Sequence, residues 1–524
     1  MQTTLATNLR RFYPRSVLDG QTELILDLPR GGRGAFQVAF RTEDAPLTVA
    51  AAVESALPVQ VRRVGYVPMP HVNTQTPPDE IEGLAHLPGY VPDPLFPEAE
   101  IVAGPFETNA FWLTVRVPAD AAPGDYPVAV TLTAGEEQAT LTATARVHAA
   151  VLPARQDFPV THWFYADALL EWYRLRPFEE AFWPILDAYF ADVAEHGQDT
   201  IYVPVFTPPL DGVKRPTQLL HVTREGETYR FDWAPVRRWI AAAQAAGLTR
   251  FEWTHLFTQW GARHAIRVYE GHDGPLLWAP ETDATSDTYR NFLAQFLPQL
   301  HGFLTEAGLL ERSFFHVSDE PHGEEHLANY RAARALLHAL APWMRTMDAL
   351  SEIAFARQGL TDVPIPSIST AMDFLAEGFP AWAYFCCGPR GRFLNRLFDT
   401  PLPKIAMSGW LFYRTGARGF LHWGYNYWFK SQTQQLIDPF TVADGLAWPG
   451  WSHGDTFLVY PGPDGPLDSL RWEVFADSLQ DYTLLQAAGI APDDPLLAAI
   501  ADYQDFPKDA GWILARRRRV LERM

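Results

Sequence analysis

The stretch FFHVSDEP, residues 314–321, places two adjacent carboxylic acids, Asp319 and Glu320, directly before Pro321. Neighbouring carboxylates raise each other's proton affinity, so one of the pair can hold a proton while the other is ionised. A proton donor beside an anion is the combination that cleaves an acetal, because the donor protonates the leaving oxygen and the anion balances the developing positive charge. The pair is the first candidate for catalytic residues, and a helix cap or a solvated loop is the alternative interpretation.

The two acids can act together only if both side chains turn to the same side of the chain. Successive side chains of a β-strand point to opposite faces, so the pair cannot serve one pocket in mid-strand. Proline lacks the backbone N–H that a strand needs, and Pro321 therefore ends the strand at the acids. We expect Asp319 and Glu320 to lie where a strand gives way to a loop.

A conventional glycosidase needs a second carboxylate across the pocket, about 5 Å from the acid in retaining enzymes and farther away in inverting ones. The stretch expected to supply it, YFCCGP at residues 384–389, contains no acid. A 2-acetamido sugar removes the requirement, because its own amide oxygen can attack the anomeric carbon. We therefore predict Glu320 as the general acid and Asp319 as the anion that orients the acetamido group. Asp348 or Asp167 as a conventional second carboxylate is the alternative.

Aromatic and polar side chains at the ends of other predicted strands are candidates for holding a sugar, whose apolar face packs on flat rings. With 18 Trp, 19 Tyr and 33 Phe, some rings must be exposed. The predicted substrate-binding residues are Trp163, His255, Tyr384, Trp423, Asn426 and Tyr427. Burial in the core is the alternative interpretation for these residues, and His316 is expected to orient the acids from within the strand.

No metal and no cofactor are expected. The His and Asp residues lack the i, i+4 or other close spacing of a metal site. The two cysteines, Cys386 and Cys387, are adjacent, which argues against a disulfide framework. No base lies near them in sequence, so we interpret both as packing residues.

The elements that position these residues differ between the two parts of the chain. Residues 1–155 contain β-rich runs such as AFWLTVRV and YPVAVTLTA, which predict an antiparallel β-sandwich. From residue 156 to 524, short apolar strands alternate with helical patterns such as AFWPILDAYFADVAEHG. The strand segments are VTHWFYAD, DTIYVPVF, RFEWTHLF, SFFHVSDE, MRTMDAL, SISTAM, AWAYFCC and GFLHWGYNYW.

Eight strand–helix units are typical of a (β/α)8 TIM-type barrel, which we predict for residues 156–524 together with a C-terminal helix. A doubly wound open sheet is the alternative, but its usual glycine-rich phosphate loop is missing. Barrels place their chemistry at the carboxyl ends of the strands. That rule selects the acid pair, His255, Tyr384 and the cluster at residues 423–428 before any reaction is assumed.

The composition limits what the chain can bind. A net charge of −20 over 524 residues argues against nucleic acid, because phosphate binding needs a basic surface. The basic run RRRR at 516–519 is interpreted as the solvated face of a last helix. No window approaches the ~20 apolar residues of a membrane span, and the N-terminus lacks a signal-peptide run, so a cytoplasmic location is expected.

Several ordered motifs resemble one known family. The segments FFHVSDEP, GFLHWGYNYW and GDTFLVYPGPDGPLDSLRWEVFADSLQDYTLL, preceded by GYVPDPLFP and FWLTVRVPADAAPGDY, are similar to glycoside hydrolase family 123 and its relatives. The resemblance spans roughly residues 62–485. It implies an N-terminal β-sandwich, a barrel with an adjacent Asp-Glu pair, and β-N-acetylgalactosaminidase activity through the substrate's acetamido group. Carried onto this sequence, it places the pair at Asp319 and Glu320.

The leading hypothesis is an exo-acting hexosaminidase that releases β-linked N-acetylgalactosamine from a glycan or glycolipid. Two alternatives stay open. One is a glycosidase of another specificity, acting on an N-acetylglucosaminide or a non-amino sugar with a conventional second carboxylate. The other is a carbohydrate-binding protein without catalytic activity.

Overall fold

The computed structural model describes residues 1–442 and 450–524. Up to Val151 the chain forms two five-stranded sheets, ordered β1-β3-β8-β5-β6 and β2-β10-β9-β4-β7. The strands are β1 Gln2–Thr7, β2 Glu23–Arg30, β3 Arg33–Arg41, β4 Leu47–Ser55, β5 Val59–Met69, β6 Gly89–Phe96, β7 Glu100–Ala103, β8 Thr108–Arg116, β9 Gly124–Ala134 and β10 Glu137–Val151. Neighbours pair antiparallel except β2 and β10, which are parallel. The predicted antiparallel sheets are therefore confirmed, with one parallel pair as the exception.

The first sheet is buried on both faces. In β8, Phe111 and Leu113 join the core between the two sheets, whereas Trp112 points the other way into the large core of the rest of the chain. Strand alternation explains this division, since neighbouring side chains lie on opposite faces. The sheet is therefore packed against the second part of the chain on its outer face.

After Val151 the chain alternates between short strands and helices. The strands are β11 Val160–His162, β12 Thr200–Val203, β13 His221–Glu225, β14 Thr228–Asp232, β15 Arg250–Trp253, β16 Ser313–Phe314, β17 Met347–Ala349, β18 Val363–Ile365, β19 Ala383–Tyr384, β20 Phe420–His422, β21 Tyr460–Pro461 and β22 Pro466–Leu467. The helices are α1 Ala166–Trp172, α2 Phe182–Glu195, α3 Ala234–Ala245, α4 Asp287–Glu306, α5 Gly323–Leu340, α6 Ile353–Arg357, α7 Ala371–Ala376, α8 Leu402–Ala406, α9 Ser408–Thr415, α10 Leu470–Ala487 and α11 Ala510–Arg523. Short 3-10 turns lie at Leu84–His86, Leu310–Arg312 and Pro495–Leu497.

The strands that carry the predicted site residues run parallel to their neighbours. Parallel pairing joins β11 to β20, β20 to β19, β12 to β15, β15 to β16, and β17 to β18. Single parallel bridges from Phe315 to Thr346 and from Ser367 to Tyr384 link β16 to β17 and β18 to β19. Their carboxyl ends therefore gather on one side of the protein. We refer to these eight strands and their helices as the parallel-strand half.

The sixth of these strands differs from the prediction. The structure places it at Val363–Ile365, whereas the predicted segment SISTAM, residues 367–372, forms a turn and the start of α7. Pro364 and Pro366 made the true strand look like a loop, because proline interrupts the backbone pairing of most strands. The other seven segments each contain their strand, in a shorter form than the sequence pattern.

A buried network of charged side chains joins the two parts of the chain. The guanidinium of Arg62 in β5 contacts Glu473 of α10 at 2.5 Å and also pairs with Asp468. Arg33 of β3 lies 3.4 Å from the other oxygen of Glu473, and His196 lies 3.5 Å from the first. We call this set the interface network. It connects residues more than 400 positions apart, from Arg62 to Glu473.

The basic run at the C-terminus is only partly solvated. Within α11, Arg517 pairs with buried Asp481 of α10 at 2.6 Å, and Arg518 pairs with Asp27 of β2 at 2.8 Å. The interpretation as a wholly solvated face was wrong, because two of these arginines tie the last helix to its neighbours. Among residues 1–442 and 450–524, no helix has the length and apolarity to cross a membrane. The location in the cell stays a prediction.

Candidate active site

A cavity of about 250 Å³ opens beside the carboxyl ends of the parallel strands, and we call it the central cavity. That volume is at the small end for ligand pockets, which suits a single sugar residue. Its aromatic wall consists of Trp163, Trp260, Tyr384, Trp423, Tyr427 and Trp451. The other lining residues are Asp211, Gln259, Asp319, Glu320, Ala349, Cys386, Cys387, Ser431 and Gln432. Rings around a few polar groups are the usual composition of a carbohydrate site.

Backbone hydrogen bonds fix the segment that carries the two acids. On one side, the N–H of Phe257 donates to the carbonyl of Val317 at 3.0 Å, and the N–H of Trp260 donates to that of Asp319 at 2.9 Å. On the other side, the N–H of Glu320 donates to the carbonyl of Ala349 at 3.0 Å. The acids are therefore held beyond the end of β16 by the continuations of β15 and β17.

A left-handed backbone conformation lets both acids face the same cavity. Glu320 has a φ of +45°, which breaks the alternation of side chains. Three other lining residues share this conformation, with φ of +55° at Asp211, +57° at Trp260 and +53° at Gln432. Such conformations cost about 1–3 kcal/mol each in non-glycine residues and cluster at functional sites. The surrounding structure therefore holds this cavity in a shape that the local sequence disfavours.

Asp319 is almost fully buried, at 3% exposure, and has no cationic partner within the described part of the chain. Its Oδ2 accepts a hydrogen bond from Nε2 of Gln259 at 2.8 Å, while Oδ1 has no partner among the described residues. Burial raises the pKa of Asp319 well above its usual range, and the nearby charge of Glu320 raises it further. The carboxyl group thus offers one oxygen to a ligand and binds a proton readily when the cavity is empty.

Glu320 is anchored by one oxygen only. The hydroxyl of Tyr384 donates to Oε1 of Glu320 at 2.6 Å and lies 3.1 Å from Sγ of Cys386. Burial raises the pKa of Tyr384 well above its usual range, so the phenol keeps its proton and remains a donor. The second oxygen of Glu320 is left for the cavity, which is the arrangement that a proton-transferring group requires.

The floor of the central cavity rests on a buried polar network. His316 lies between Glu252, at 2.8 Å, and Asp348, at 3.2 Å. Although burial opposes it, hydrogen bonds to these two carboxylates raise the pKa of His316 to about 9. Glu252 also accepts from the indole N–H of Trp163 at 2.7 Å. The imidazolium therefore orients the floor of the site through Glu252 and Trp163.

Four of the six predicted substrate-binding residues line the central cavity: Trp163, Tyr384, Trp423 and Tyr427. Their placement follows from the chain positions at which the parallel strands end. The indole N–H of Trp423 donates to Asp455 at 2.9 Å, which fixes the orientation of that ring. Burial raises the pKa of Asp455 to about 7.

The other two predicted residues, His255 and Asn426, lie behind the cavity wall. His255 is fully buried, stacks on His316 with ring centroids 4.1 Å apart, and lies 3.1 Å from the hydroxyl of Tyr202. Asn426 uses its whole amide on the backbone of Tyr165, accepting from its N–H at 2.8 Å and donating to its carbonyl at 3.1 Å. Nε2 of His255 has no hydrogen-bond partner among the described residues. Neither residue lines the central cavity, and sugar contact by either stays a prediction.

The two alternative second carboxylates, Asp348 and Asp167, do not line the central cavity. Asp348 is fully buried and accepts hydrogen bonds from the N–H of Val317 and from the hydroxyl of Tyr330. The third carboxylate in the lining is Asp211, whose Oδ2 accepts from the hydroxyl of Tyr165 at 3.0 Å. Sequence analysis missed Asp211, because it lies in the loop PPLDG after β12 and not at a strand end.

Gln259 and Trp260 were also missed. They follow β15 in the segment FTQWG, where a polar side chain and an exposed ring directly after a strand were the available signal. Trp260 is 42% exposed, and Gln259 lies 3.5 Å from Asp211 as well as 2.8 Å from Asp319. The amide of Gln259 therefore bridges two carboxylates across the cavity.

The cysteines, interpreted as packing residues, line the central cavity as free thiols whose sulfurs are 3.9 Å apart. A hydrogen bond to Cys387, together with burial, raises the pKa of Cys386, so its thiol stays neutral. A neutral thiol is a poor nucleophile.

Two sets of His and Asp side chains among the described residues have ligand atoms within 4.8 Å of one another. One set is His255, His316 and Asp348, and the other is Asp192, His196 and Asp468. Both sets contain ion pairs, such as His196 with Asp192 at 3.1 Å. These two residues are four positions apart, so the statement that such spacing is missing from the sequence was wrong. The expected absence of a metal stays a prediction.

Comparison with known proteins places this geometry in a family. The matching family is described as Glycoside hydrolase 123, catalytic domain, and the match covers residues 163–488. No curated protein matches this sequence at a significant level. The whole chain has the fold of a family 123 glycoside hydrolase from Clostridium perfringens, whose structural analysis concerns glycolipid glycan hydrolysis. That similarity has a TM-score of 0.76 at 14% identity and covers 99% of this chain and 97% of the other.

Two further solved structures share less of the fold. Bacteroides uniformis beta-glucuronidase 2 has a TM-score of 0.31 at 12% identity, covering 83% of this chain and 48% of that one. The endo-beta-1,4-mannanase from Thermotoga petrophila has a TM-score of 0.35 at 10% identity, covering 64% and 78%. The resemblance inferred from the motifs is confirmed by the family match and by the shared fold. This chain belongs to glycoside hydrolase family 123.

Proposed function

We propose that the protein is a β-N-acetylgalactosaminidase that uses the acetamido group of its substrate as the nucleophile. The observation that carries the proposal is the pair Asp319 and Glu320, both lining one cavity, each with one oxygen tied to protein and the other without a described protein partner. A retaining glycosidase without substrate assistance needs a carboxylate opposite the acid. An acetamido sugar supplies that attacking oxygen itself.

In the first step, the acetamido carbonyl oxygen forms a bond to the anomeric carbon while the bond from that carbon to the leaving oxygen breaks. Glu320 transfers its proton to the leaving oxygen, and Asp319 accepts a hydrogen bond from the amide N–H. The product is a cyclic oxazolinium ion, whose positive charge lies next to the Asp319 carboxylate. Because the acetamido group and the anomeric carbon belong to the same sugar, the attack has the high effective concentration of an intramolecular reaction.

In the second step, water attacks the anomeric carbon and the ring oxygen of the oxazolinium leaves it. Glu320, now ionised, removes the proton from that water, so it ends the cycle protonated again. Two displacements at the same carbon retain its configuration. The rings of Trp163, Trp423 and Tyr427 would pack against the apolar face of the sugar.

The raised pKa of Asp319 is compatible with this scheme. In the empty cavity, burial and the nearby charge of Glu320 favour the protonated form of Asp319. A bound acetamido N–H stabilises the ionised form of Asp319, because it donates to a carboxylate without a cationic partner. Binding of the substrate therefore favours the ionised form of Asp319, which is the form that the mechanism requires.

A glycan or glycolipid with a terminal N-acetylgalactosamine is the proposed substrate. The resemblance of the motifs and the Clostridium perfringens structure, described for glycolipid glycan hydrolysis, support this choice. Hydrolysis of a panel of 4-nitrophenyl glycosides tests it. We expect the N-acetyl-β-galactosaminide to be cleaved and sugars without an acetamido group to be left intact, and full activity on 4-nitrophenyl β-galactoside would overturn the mechanism.

Asp211 favours one rival mechanism, in which it acts as a conventional nucleophile. It lines the same cavity, and Gln259 bridges it to Asp319. A thiazoline that mimics the cyclic intermediate separates the two mechanisms. Tight competitive inhibition supports substrate assistance, whereas trapping of a glycosyl ester on Asp211 by a 2-fluoro sugar supports the rival.

We also infer that the eight parallel strands form a (β/α)8 barrel on residues 156–524, joined to a sandwich on residues 1–155. The inference is supported by parallel pairing or bridging between β12, β15, β16, β17, β18, β19, β20 and β11 in that order. The contact of β11 with β12 supports closure. An experimental structure tests the inference: pairing between β11 and β12 that closes the ring of strands is the expected result, and an open edge at these two strands would overturn it.

A further inference from the structure

A second cavity lies directly beside the central one, and we call it the lateral cavity. Its volume is about 390 Å³, larger than that of the central cavity. Gln259 and Trp260 line both cavities and form the wall between them. The proposed reaction uses no group of the lateral cavity except this shared wall.

Lys214 in the lateral cavity is a buried cation that forms no direct ion pair with a described residue, although its charge acts on the nearby buried carboxyl of Asp167 and opposes the rise of that group's pKa. The side chain is only 6% exposed, and its ammonium makes no ion pair and no hydrogen bond with the residues that the structure describes. The ammonium lies 4.6 Å from the ring centre of Tyr427 and 4.9 Å from that of Tyr165. Cation–π contacts compensate for part of the lost hydration. They leave all three N–H donors of the ammonium available.

Another lysine of the same chain shows what burial normally requires. Lys404 is 1% exposed and forms an ion pair with Glu80 at 3.1 Å. Lysine is almost never buried without such a partner, because an unpaired charge loses its hydration. Unlike Lys404, Lys214 has no carboxylate in direct contact, so its N–H donors can bind an anion that enters the cavity from outside the chain.

Two further groups of the lateral cavity point to the same kind of ligand. Arg267 is half-buried and makes no ion pair or hydrogen bond with a described residue. Nδ1 of His264 is buried and also has no described partner. The acid in the lining is Glu281, which is half-exposed. Although the chain has a net charge of −20, this cavity contains two cations, Lys214 and Arg267, that form no direct ion pair with a described residue. Such a positively charged cavity favours the binding of an anion.

We propose that the lateral cavity binds an oxyanion, a carboxylate or a sulfate ester, carried by the carbohydrate whose terminal sugar occupies the central cavity. This proposal rests on the proposed function, since it extends the same substrate across the wall of Gln259 and Trp260. Lys214 and Arg267 donate to the oxyanion. The preferred substrates are thus acidic glycans, with the charge either on the terminal sugar or on the residue linked to it.

Paired substrates test the proposal. N-acetylgalactosamine linked to glucuronic acid is compared with the same disaccharide ending in glucose, and 4-nitrophenyl N-acetyl-β-galactosaminide 6-sulfate is compared with its unsulfated form. We expect kcat/KM to be about tenfold or more higher for the charged member of at least one pair, as charge-assisted hydrogen bonds allow. The pair that responds identifies the position of the anion. Equal rates within both pairs overturn the proposal.

Substitutions in the lateral cavity test whether its cations cause the preference for charged substrates. Lys214→Gln and Arg267→Gln should each reduce the ratio of charged to neutral kcat/KM by about tenfold. Arg230→Gln is the matched control, because Arg230 lies on an exposed hairpin strand and pairs with exposed Glu225. A ratio that both cavity variants leave unchanged contradicts the proposal.

A binding measurement separates this proposal from the proposed function. Saturation-transfer NMR with galactose 6-sulfate, glucuronic acid and galactose needs no turnover. We expect signals from at least one of the two charged sugars, reduced in Lys214→Gln, and a weaker signal from galactose. If the enzyme cleaves no acetamido sugar but these signals are present, the proposed function fails and the anion site stands. If neutral substrates are cleaved and the three sugars bind alike, the anion site fails alone.

Discussion

Glu473 in the interface network and Asp319 in the central cavity are both nearly inaccessible carboxylates, with 1% and 3% exposure. Burial alone would raise the pKa of each. Around Glu473, Arg33 and Arg62 overcome that effect and bring its pKa well below the usual range. Around Asp319, burial and the charge of Glu320 act together and raise the pKa. The same chemical group is thus a permanent anion in one region and a proton acceptor in the other.

The two regions differ in the side chains that surround the carboxylate. In the interface network Glu473 faces the guanidinium groups of Arg33 and Arg62, and its charge joins the two halves of the protein. In the central cavity the acids face an amide, a phenol and each other. A group that must exchange protons or accept a ligand's N–H cannot be neutralised by a fixed cation.

The largest expected effect is that of Glu320→Gln, which removes the transferable proton. We expect kcat/KM on N-acetyl-β-galactosaminides to fall by about 10²–10⁴-fold, with the greater loss for a disaccharide than for a nitrophenyl leaving group. Steady-state kinetics on both substrates measure it. Glu324→Gln in exposed α5 is the control and should keep full activity. Retention of activity on the disaccharide would refute the assignment of the acid.

Arg62→Gln should destabilise the protein by weakening the interface network. It leaves Glu473 buried with weakened compensation, and removing one partner of a buried pair costs about 3–5 kcal/mol of unfolding free energy. Chemical denaturation measures this loss. The neighbouring Arg63 pairs with Glu98 at 3.0 Å near the surface, so Arg63→Gln should cost about 1 kcal/mol or less. Similar losses in the two variants would contradict a structural role for the network.

Asp319→Asn should lower kcat/KM by about 10²-fold, because the cyclising acetamido group loses the anion beside its developing charge. The variant keeps the size and the hydrogen bond to Gln259. Inhibition by a thiazoline should weaken in parallel with activity. Asp211→Asn, measured beside it, should lose clearly less, and the reverse order would favour Asp211 as the nucleophile.

The pH dependence of kcat/KM tests whether the pKa of Asp319 is raised. Asp319 must be ionised to accept the amide N–H, and its pKa is raised above the ordinary value of 3.8. As the pH falls through that raised pKa, Asp319 becomes protonated and kcat/KM decreases. The acidic limb of the kcat/KM profile should therefore lie well above pH 3.8, and it should disappear in Asp319→Asn. A limb at the ordinary aspartate position in the wild type would rule out this role.

Tyr384→Phe should have the smallest effect of the catalytic series. It removes the hydroxyl that donates to Glu320 at 2.6 Å while keeping the ring in the cavity wall. We expect kcat to fall by about tenfold, as for one hydrogen bond to a charged group, with KM changed little. A higher KM with an unchanged kcat would mean that Tyr384 contacts the sugar and does not position Glu320.

Much of the local architecture was readable from the sequence. The alternation in runs such as AFWLTVRV predicted the sandwich strands, and the acid pair before Pro321 predicted two acids at one strand end. The sixth parallel strand was missed because prolines interrupt it. Gln259 and Asp211 were missed because a loop residue's neighbours depend on where the loop folds, which no periodic pattern records.

By itself, the sequence determined the periodic elements, the adjacency of Asp319 and Glu320, and the family, since these depend on residues close together or on ordered motifs. Tertiary structure alone decided that Asn426 is turned to the backbone of Tyr165, that Glu473 meets Arg62, and that the ammonium of Lys214 lies against the ring of Tyr427. The physical reason is that a charge or an amide takes its state from groups within a few ångströms. Packing brings those groups together from distant parts of the chain.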